Sequence, residues 1–220
     1  MKIGIVGAGN MGFGMGSIWA EKGHQVCISY SRSQARLAAT VAAAGVNATV
    51  CTPTEAAEFG EVVLLAIHWP QVPQVVREIR PFLKSKALLT CVVPWNPNCN
   101  GLAVGTNSSA AERIARLAPK AHVVETLPIL AGGLYSPTRT FGSERATLFY
   151  CGEDTLAKEK VASLLDDLET EPIDAGSLTK ARFLEPAAAL LWHMAIGEGE
   201  GTDIALKLLR RRGMRVDERR

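Results

Sequence analysis

Residues 3–12 read Ile-Gly-Ile-Val-Gly-Ala-Gly-Asn-Met-Gly and carry the strongest structural signal in the chain. The first four form a short apolar run that ends at a glycine, which is typical of a buried strand. The glycines follow the pattern G-x-G-x-x-G, and apolar side chains then recur at helical spacing until Gly23. A strand, this glycine turn and a helix in that order predict the start of a dinucleotide-binding α/β domain.

Strands and helices continue to alternate after this first unit. The next strands are expected at residues 26–28 and 62–67, with a short strand near Val50. The remaining elements of this part are helices at 35–44, 71–83 and 110–117 and strands at 88–93 and 122–124. Such alternation indicates α/β architecture, with a doubly wound and mostly parallel sheet covered on both faces. We therefore predict a dinucleotide-binding Rossmann domain over residues 1–126.

The part of the chain from residue 127 to 209 has a different character and is predicted to form a smaller C-terminal α/β extension. Glycines and a proline break any periodicity between residues 131 and 143, so a long loop is expected there. The other elements are a strand at 147–151 and helices at 155–168, 178–194 and 203–211. We expect this region to bind the second substrate and to form a dimer contact.

The expected helix over residues 178–194 is strongly amphipathic. Apolar side chains recur along it at spacings of four, three and four residues, at Phe183, Ala187, Leu190 and Met194. The helix is also too apolar to be covered by a small region alone, so a homodimer is predicted. Arg182 and Glu185 are three residues apart on this helix and are expected to pair.

The composition argues against several classes of function. The 24 Lys and Arg residues nearly balance the 22 Asp and Glu residues, so no binding to nucleic acid or to a membrane is expected. No apolar run reaches the ~18 residues of a membrane span, and the N-terminal residues lack the pattern of a secretory signal. We therefore expect a cytoplasmic protein. The arginine-rich tail over residues 210–220 is expected to be disordered.

The cysteines point to a reducing compartment. The five cysteines are widely spaced and odd in number, and none belongs to a C-x-x-C pair. Neither a disulfide framework nor a metal site is therefore expected. Most of these cysteines are expected to be small core residues.

The glycine turn predicts how a dinucleotide binds. Gly7 permits the tight turn, Gly9 lets the pyrophosphate approach the backbone, and Gly12 lets helix and strand pack closely. The start of the helix supplies free N–H groups and a positive potential. The cofactor-binding residues expected here are Gly7, Ala8, Gly9, Asn10, Met11 and Gly12.

The end of the second strand distinguishes NADP from NAD. An NAD site usually has an Asp or Glu there, which binds the ribose 2′-OH, whereas no acidic residue occurs between Glu21 and Glu55. Instead, Ser31, Arg32 and Arg36 offer donors that suit a 2′-phosphate. We therefore predict that the cofactor is NADP(H). A pair of solvated surface arginines is the alternative interpretation.

Further motifs give the chain a resemblance to a known family almost from end to end. They are the glycine pattern with Asn10, Gly23-His24, Ser31-Arg32, Ile67-His68-Trp69, Ser109-Ala110-Ala111-Glu112, Thr126-Leu127-Pro128, Asp174-Ala175-Gly176-Ser177-Leu178 and Ala181-Arg182-Phe183-Leu184-Glu185. In order and spacing, these motifs resemble those of the 8-hydroxy-5-deazaflavin:NADP oxidoreductases, also called NADPH-dependent coenzyme F-420 reductases. The resemblance implies hydride transfer between NADP(H) and a deazaflavin, coenzyme F-420, as the second substrate.

The resemblance also implies where the two redox partners meet. Residues that follow two of the strands are expected to line the nicotinamide: Ile67, His68, Trp69, Val93 and Pro94. The pocket in which the deazaflavin stacks on the nicotinamide is expected to include Thr126, Leu127 and Pro128. These positions suit a ligand that binds beyond the carboxyl ends of parallel strands.

Two places near the expected acceptor pocket depart from the family pattern. Glu125 stands where the family often has His, and residues 95–99 have no good match. Other acceptors therefore stay open, namely another flavin, a metal complex, or a small carbonyl or imine compound. A non-catalytic protein that senses NADP(H) is a further alternative.

The expected chemistry needs no protein nucleophile, because stacked cofactors carry the hydride and the protein orients them. No catalytic side chain is therefore assigned. His68 is the best-placed proton donor, and packing or simple cofactor contact is its alternative role. Asp174 is expected either to support a turn or to contact a ligand. Trp69 and Trp95 are expected either to stack on an aromatic cofactor or to pack in the core.

Overall fold

A computed structural model describes residues 1–29, 45, 47–127 and 131–211. Its strands are β1 Lys2–Val6, β2 Gln25–Ser29, β3 Ala48–Val50, β4 Val62–Leu65, β5 Ala87–Thr90, β6 His122–Thr126, β7 Thr140–Phe141, β8 Glu144–Arg145, β9 Thr147–Gly152 and β10 Glu171–Asp174. Among the described residues, eight of them form one sheet in the order β10-β9-β6-β5-β4-β1-β2-β3. All neighbours in this sheet are parallel except β6 and β9. The predicted doubly wound α/β fold is confirmed.

Helices cover both faces of this sheet. In the described ranges they are α1 Asn10–Glu21, α2 Pro53–Phe59, α3 Val72–Ile79, α4 Ala110–Leu117, α5 Ala131–Tyr135, α6 Thr155–Asp166 and α7 Ala181–Trp192. Short 3-10 turns occupy Trp69–Gln71, Arg80–Phe82 and Leu178–Lys180, and a π turn His193–Gly197 follows α7. The helix expected at residues 35–44 lies outside the described residues.

The sequence analysis does not predict helix α2. Its start is fixed by a capping box, in which Thr52 and Glu55 each accept from the backbone N–H of the other. The helix then approaches β1 so closely that a Cβ at Gly4 would overlap the carbonyl oxygen of Ala56. Gly4 therefore allows the close packing of helix and strand.

Apolar side chains of the strands alternate between two buried layers. On one face Ile3, Ile5 and their neighbours pack against α1 and α6, and the indole N–H of Trp19 donates to the carbonyl of Leu164 at 2.8 Å. On the other face the strands pack against α2, α3, α4 and α7. Helices cover both faces of the sheet. A ligand is therefore expected at the carboxyl ends of its parallel strands.

The segment at residues 131–143 is not the long loop that the sequence predicts. It contains α5 and the small hairpin of β7 and β8. Helix α5 packs against α1, and a Cβ at Gly14 would lie only 3.0 Å from Leu134 Cδ1. A Cβ at Gly132 would overlap the backbone of Thr202. Gly14 and Gly132 permit this close packing, and the long loop predicted from the glycines and the proline of residues 131–143 is wrong.

The helix expected at residues 203–211 is also wrong, because this segment is extended. The backbone N–H of Thr147 donates to the carbonyl of Leu206 at 2.8 Å, and the N–H of Leu208 donates to Thr147 Oγ1 at 3.0 Å. Lys207 Nζ adds ion pairs at 3.0 Å with Glu144 and Glu171. Pairing with the start of β9 therefore outweighs the helical propensity of the segment.

The main sheet crosses the predicted domain boundary. Strand β6 ends at Thr126, and its antiparallel neighbour β9 belongs to the second predicted region. The division into 1–126, 127–209 and 210–220 stays a prediction, and residues 212–220 lie outside the described part. Among the described residues, no helix is long and apolar enough to cross a membrane.

Two cysteines form a disulfide that the sequence analysis does not expect. Cys27 lies in β2 and Cys51 directly follows β3, and their Cα atoms are 6.0 Å apart. The two strands are parallel neighbours, so residues separated by 24 positions come side by side. Of the remaining cysteines, Cys91 and Cys151 are buried and Cys99 is exposed.

Candidate functional site

The glycine turn joins β1 to the start of α1. Gly7 has a φ of +122°, which an L side chain rarely adopts, and its N–H donates to the carbonyl of Ser29 at 3.0 Å. Gly9 is the N-cap of α1, so no side chain caps the helix, and its first turn contains no acidic residue. The first N–H groups of α1 are therefore available to an anion.

The space around the three glycines differs. A Cβ at Gly7 would overlap the carbonyl oxygen of Ala66, and a Cβ at Gly12 would overlap that of Gly7. Among the described residues, apart from Ala8 and Asn10, no heavy atom lies within 4 Å of a Cβ placed at Gly9. Gly7 and Gly12 are therefore required by the fold itself, whereas Gly9 leaves open space in front of the helix.

The other predicted residues of the turn lie at the same place. Ala8 and Met11 are half-buried and pack against the core, whereas Asn10 is exposed. The hydroxyl of Tyr135 donates to the backbone carbonyl of Asn10 at 3.0 Å, so α5 reaches the turn. The contact of Tyr135 with the turn is not predicted from the sequence, because a loop is expected at this residue.

The predicted 2′-phosphate residues Ser31, Arg32 and Arg36 lie outside the described residues. The structure does describe the strand that leads to them. Ser29, the last residue of β2, accepts the N–H of Gly7 and donates its hydroxyl to the carbonyl of Ile5 at 2.9 Å. The end of β2 is therefore fixed beside the glycine turn.

The residues after β4 lie at the next strand end along this edge. Ile67 is half-buried and packs against the core, and His68 is exposed and makes no side-chain cap. Trp69 also packs against the core, and the guanidinium carbon of Arg113 is 5.8 Å from its ring centroid. The Trp69 ring is thus partly covered by the core, whereas the His68 side chain is accessible to solvent.

The ends of β5 and β6 continue the same edge. Val93 is half-buried and packs with Leu127, which is 1% exposed. Pro94 is buried, and its carbonyl accepts the N–H of Ala103. Thr126 is buried as well, and its hydroxyl donates to the carbonyl of Phe149 at 3.2 Å. Pro128 lies outside the described residues.

A cluster of three aromatic rings lies beyond β5. The Trp95 ring centroid is 5.1 Å from that of Trp192 and 5.7 Å from that of His193. Trp192 ends α7 and His193 begins the π turn, and all three side chains are half-buried. The sequence analysis names Trp95 but does not connect it with Trp192 and His193, because about 100 positions separate them along the chain.

The expected pair of Arg182 and Glu185 does not form. Arg182 instead makes a bidentate pair with Glu112, at 2.7 and 2.9 Å. Glu185 is 2% exposed and accepts the N–H groups of Ala110 and Ala111 at 3.0 and 3.1 Å. Both side chains face α4, so they join α7 to the start of that helix. Burial raises the pKa of Glu185 to about 7, although the two N–H donors oppose this shift.

A second buried carboxyl lies in β6. Glu125 is 1% exposed, and its Oε2 has no hydrogen-bond partner among the described residues. Burial and the neighbouring charge of Glu185 raise the pKa of Glu125 well above its ordinary value. In the sequence Glu125 stands out only as a departure from the family pattern, and it is the second-last residue of β6. Burial therefore favours the protonated form of Glu125, which lies beside the expected acceptor pocket.

Asp174 supports a turn. Its Oδ1 accepts the N–H of Gly176 at 2.8 Å, and its Oδ2 lies 2.8 Å from Lys158 Nζ. The residue ends β10, which is the border strand of the main sheet. Of the two roles expected for Asp174, these contacts support the structural one.

Known proteins resemble the chain at the levels of sequence and fold. Residues 2–94 match a family described as NADP oxidoreductase, coenzyme F420-dependent. The F420-dependent NADP reductase of Methanocaldococcus jannaschii is 24% identical, over 94% of this chain and 98% of that protein. A candidate F420-dependent NADP reductase from Arthrobacter sp. FB24 has a TM-score of 0.84 at 26% identity, over 96% of this chain and 100% of the other.

A more distant structure shares the fold alone. An imine reductase from Streptomyces aurantiacus has a TM-score of 0.64 at 18% identity, over 90% of this chain and 64% of its own. The predicted resemblance to the deazaflavin-linked NADP oxidoreductases is confirmed by the family match together with the two full-length relatives.

Proposed function

We propose that this chain is an NADP-dependent oxidoreductase that transfers a hydride between NADP(H) and the deazaflavin coenzyme F420. The observation that carries the proposal is the uncapped helix start behind the glycine turn, at the same sheet edge as the ends of β4, β5 and β6. The relatives add the second substrate, because the Methanocaldococcus jannaschii protein is an F420-dependent NADP reductase. Since cells hold NADP(H) in the cytoplasm, we place the enzyme there.

Each part of the site has a task in this proposal. The N–H groups at the start of α1 hold the pyrophosphate, and Gly9 leaves the space that the phosphates need. Ile67 and Val93 present apolar side chains at the ends of β4 and β5, which keep water away from the rings. Bound NADPH supplies the hydride that the deazaflavin accepts. The protein contributes mainly orientation.

An acceptor assay tests the proposed function. The absorbance of NADPH is followed with the deazaflavin, and then with FMN, FAD and a ferric chelate. We expect NADPH oxidation with the deazaflavin. Turnover with only the other acceptors would replace the proposed substrate. Tight NADPH binding without turnover on any acceptor would instead identify a sensor.

NADPH is expected to bind at least 100-fold more tightly than NADH. Each charge-assisted hydrogen bond to the 2′-phosphate contributes about 1.5–3 kcal/mol, and about 1.4 kcal/mol changes affinity tenfold. The double variant Arg32→Ala/Arg36→Ala should therefore lose most of this preference, while its affinity for NADH changes little. Calorimetric titration with both nucleotides measures the two affinities.

A second arginine pair provides the control for this titration. Arg77 and Arg80 are exposed and lie at the far end of α3, away from the glycine turn. The variant Arg77→Ala/Arg80→Ala removes the same charge and should keep the preference for NADPH. Equal affinities of the unmutated protein for NADPH and NADH would refute the assignment of the 2′-phosphate site.

We also propose that the chain forms a homodimer through the exposed face of α7. The apolar stripe on this helix is exposed, with Phe183 at 69%, Leu190 at 62% and Met194 at 41%. The charged side chains of α7, Arg182 and Glu185, are both bound to α4. The charged side chains of α7 itself are therefore turned away from the stripe, and the Lys180 ammonium lies at one end of it, 5.9 Å from the Phe183 ring centroid. A two-fold interface would place the apolar middle of the stripe against its own copy.

Replacing Leu190 with Glu should convert the dimer to a monomer, because a charge would be buried at the centre of the contact. Light scattering at micromolar concentration measures the mass. Leu156→Glu is the matched control, since Leu156 is 68% exposed on α6 and lies outside the stripe. A monomer mass for the unmutated protein would end the proposal.

A further inference from the structure

The cluster of Trp95, Trp192 and His193 is built from two separate parts of the chain. Trp95 is held at the base of a loop. Its backbone N–H donates to the backbone carbonyl of Val93 at 2.9 Å, and its backbone forms a bridge to Leu102. Trp192 and His193 come from the end of α7 and the following turn. The position of the Trp95 ring is therefore fixed by the end of β5 on one side and by α7 on the other.

The cluster adjoins the expected acceptor pocket. Val93 precedes Trp95 by two residues and packs with Leu127 at the end of β6. The same small apolar group includes Leu191 and Ala195, which flank Trp192 and His193 in the chain. The three rings therefore lie at the edge of the sheet where β5 and β6 end.

The protein covers only part of the surface of each of the three rings. All three side chains are half-buried rather than buried. Within the described ranges, the structure shows no hydrogen bond from the indole N–H of Trp95 or Trp192, whereas the buried Trp19 donates to a carbonyl. Neither indole nitrogen is among the buried side-chain atoms that lack a partner in the described part of the chain, so both N–H groups keep contact with solvent. Half-buried rings with accessible N–H donors suit a planar ligand that carries carbonyl oxygens.

We propose that Trp95, supported by Trp192 and His193, forms the wall on which the planar ring of the acceptor stacks. Trp95 is then a residue that determines acceptor specificity. The inference rests on the proposed function for the presence of a ring acceptor. It goes further because residues 95–99 are a part of this chain that the family pattern does not explain.

The test compares Trp95→Ala with Trp95→Phe in the full-length protein. With the deazaflavin as acceptor, Trp95→Ala should raise its KM about tenfold, as expected for a lost stacking contact. The kcat at saturation and the Kd for NADPH should change little. Trp95→Phe keeps an aromatic face and should recover most of the lost KM. Thermal melting of each variant reports whether it is folded.

The possible outcomes separate this inference from the proposed function. If the unmutated protein reduces the deazaflavin but Trp95→Ala leaves its KM unchanged, the aromatic wall is wrong and the function stands. If the unmutated protein reduces FMN instead, the function is wrong, and the same variants are then compared with FMN. If Trp95→Ala does not fold, Trp95→Leu takes its place, and a KM equal to that of Trp95→Phe would overturn the stacking role.

Discussion

Replacing Gly9 with alanine is expected to weaken NADPH binding at least tenfold and to leave the stability of the protein almost unchanged. In the part of the chain that the structure describes, the added methyl group meets no heavy atom within 4 Å beyond its two chain neighbours. Gly9 already has an extended backbone that alanine adopts freely. In the complex, however, the methyl group would occupy the space that the pyrophosphate needs. A tenfold loss of affinity corresponds to about 1.4 kcal/mol. Calorimetry with NADPH and a thermal melt measure the two effects separately.

Gly12→Ala is the matched comparison for this prediction. Its Cβ would overlap the carbonyl oxygen of Gly7, so the helix or the turn must move. Overpacking of this kind costs about 1–3 kcal/mol, and each kcal/mol lowers the melting temperature by roughly 2–4 °C in a chain of this length. The two variants should therefore both lose affinity, but only Gly12→Ala should lose stability. Unchanged NADPH affinity in Gly9→Ala would show that the phosphates bind elsewhere.

Replacing Glu125 with glutamine should stabilise the protein at pH 8, because glutamine cannot ionise. Each unit by which folding raises the pKa of Glu125 costs about 1.4 kcal/mol of stability once the pH exceeds the raised pKa. Burial and the charge of Glu185 raise the pKa of Glu125 in the folded protein, whereas the unfolded chain releases this proton near pH 4.5. A carboxyl with a raised pKa contributes its full stability below pH 4.5, and this contribution is lost as the pH rises through the raised pKa. The free energy of unfolding, measured with urea between pH 4.5 and 8, should thus fall less steeply in Glu125→Gln.

Two further variants locate the source of this pH dependence. Burial raises the pKa of Glu185 to about 7, so the stability that its protonated form contributes is lost between pH 4.5 and about 7. This part of the pH dependence should still be present in Glu125→Gln. Glu78→Gln removes an exposed carboxyl and should leave the pH dependence unchanged. An identical slope in Glu125→Gln and in the unmutated protein would mean that Glu125 is ionised and solvated in the folded state.

The sequence predicts the strand, the glycine turn and the helix of the expected nucleotide site well, because these signals are local. The strand, the three spaced glycines and the apolar helix lie within residues 2–21, and Gly12 packs against Gly7 within the same turn. The helix at Ala110–Leu117 is also predicted to its ends, since Ser109 caps it and the apolar residues follow a helical period. In such segments the residues that form the sequence pattern are also the residues that determine the local structure.

The second half is predicted less well, because its contacts are distant in sequence. Glu185 binds N–H groups 74 and 75 residues away, so its nearer neighbour Arg182 is a misleading partner. The segment around Leu206 and Leu208 binds to Thr147, and nothing within residues 203–211 indicates this contact. The ring cluster likewise needs the fold before Trp95 can be connected with Trp192. Spacing along the chain cannot reveal such contacts.

The antiparallel pairing of β6 with β9 has a mechanical consequence. Among the described residues the sheet has seven neighbouring strand pairs; six lie within one of the two predicted regions, and the β6–β9 pair is the seam that joins them. Cutting the chain there would uncover a row of N–H and C=O groups, which attracts foreign strands and promotes aggregation. Because backbone hydrogen bonds join the two strands directly, the two regions proposed to hold the donor and acceptor rings share one sheet.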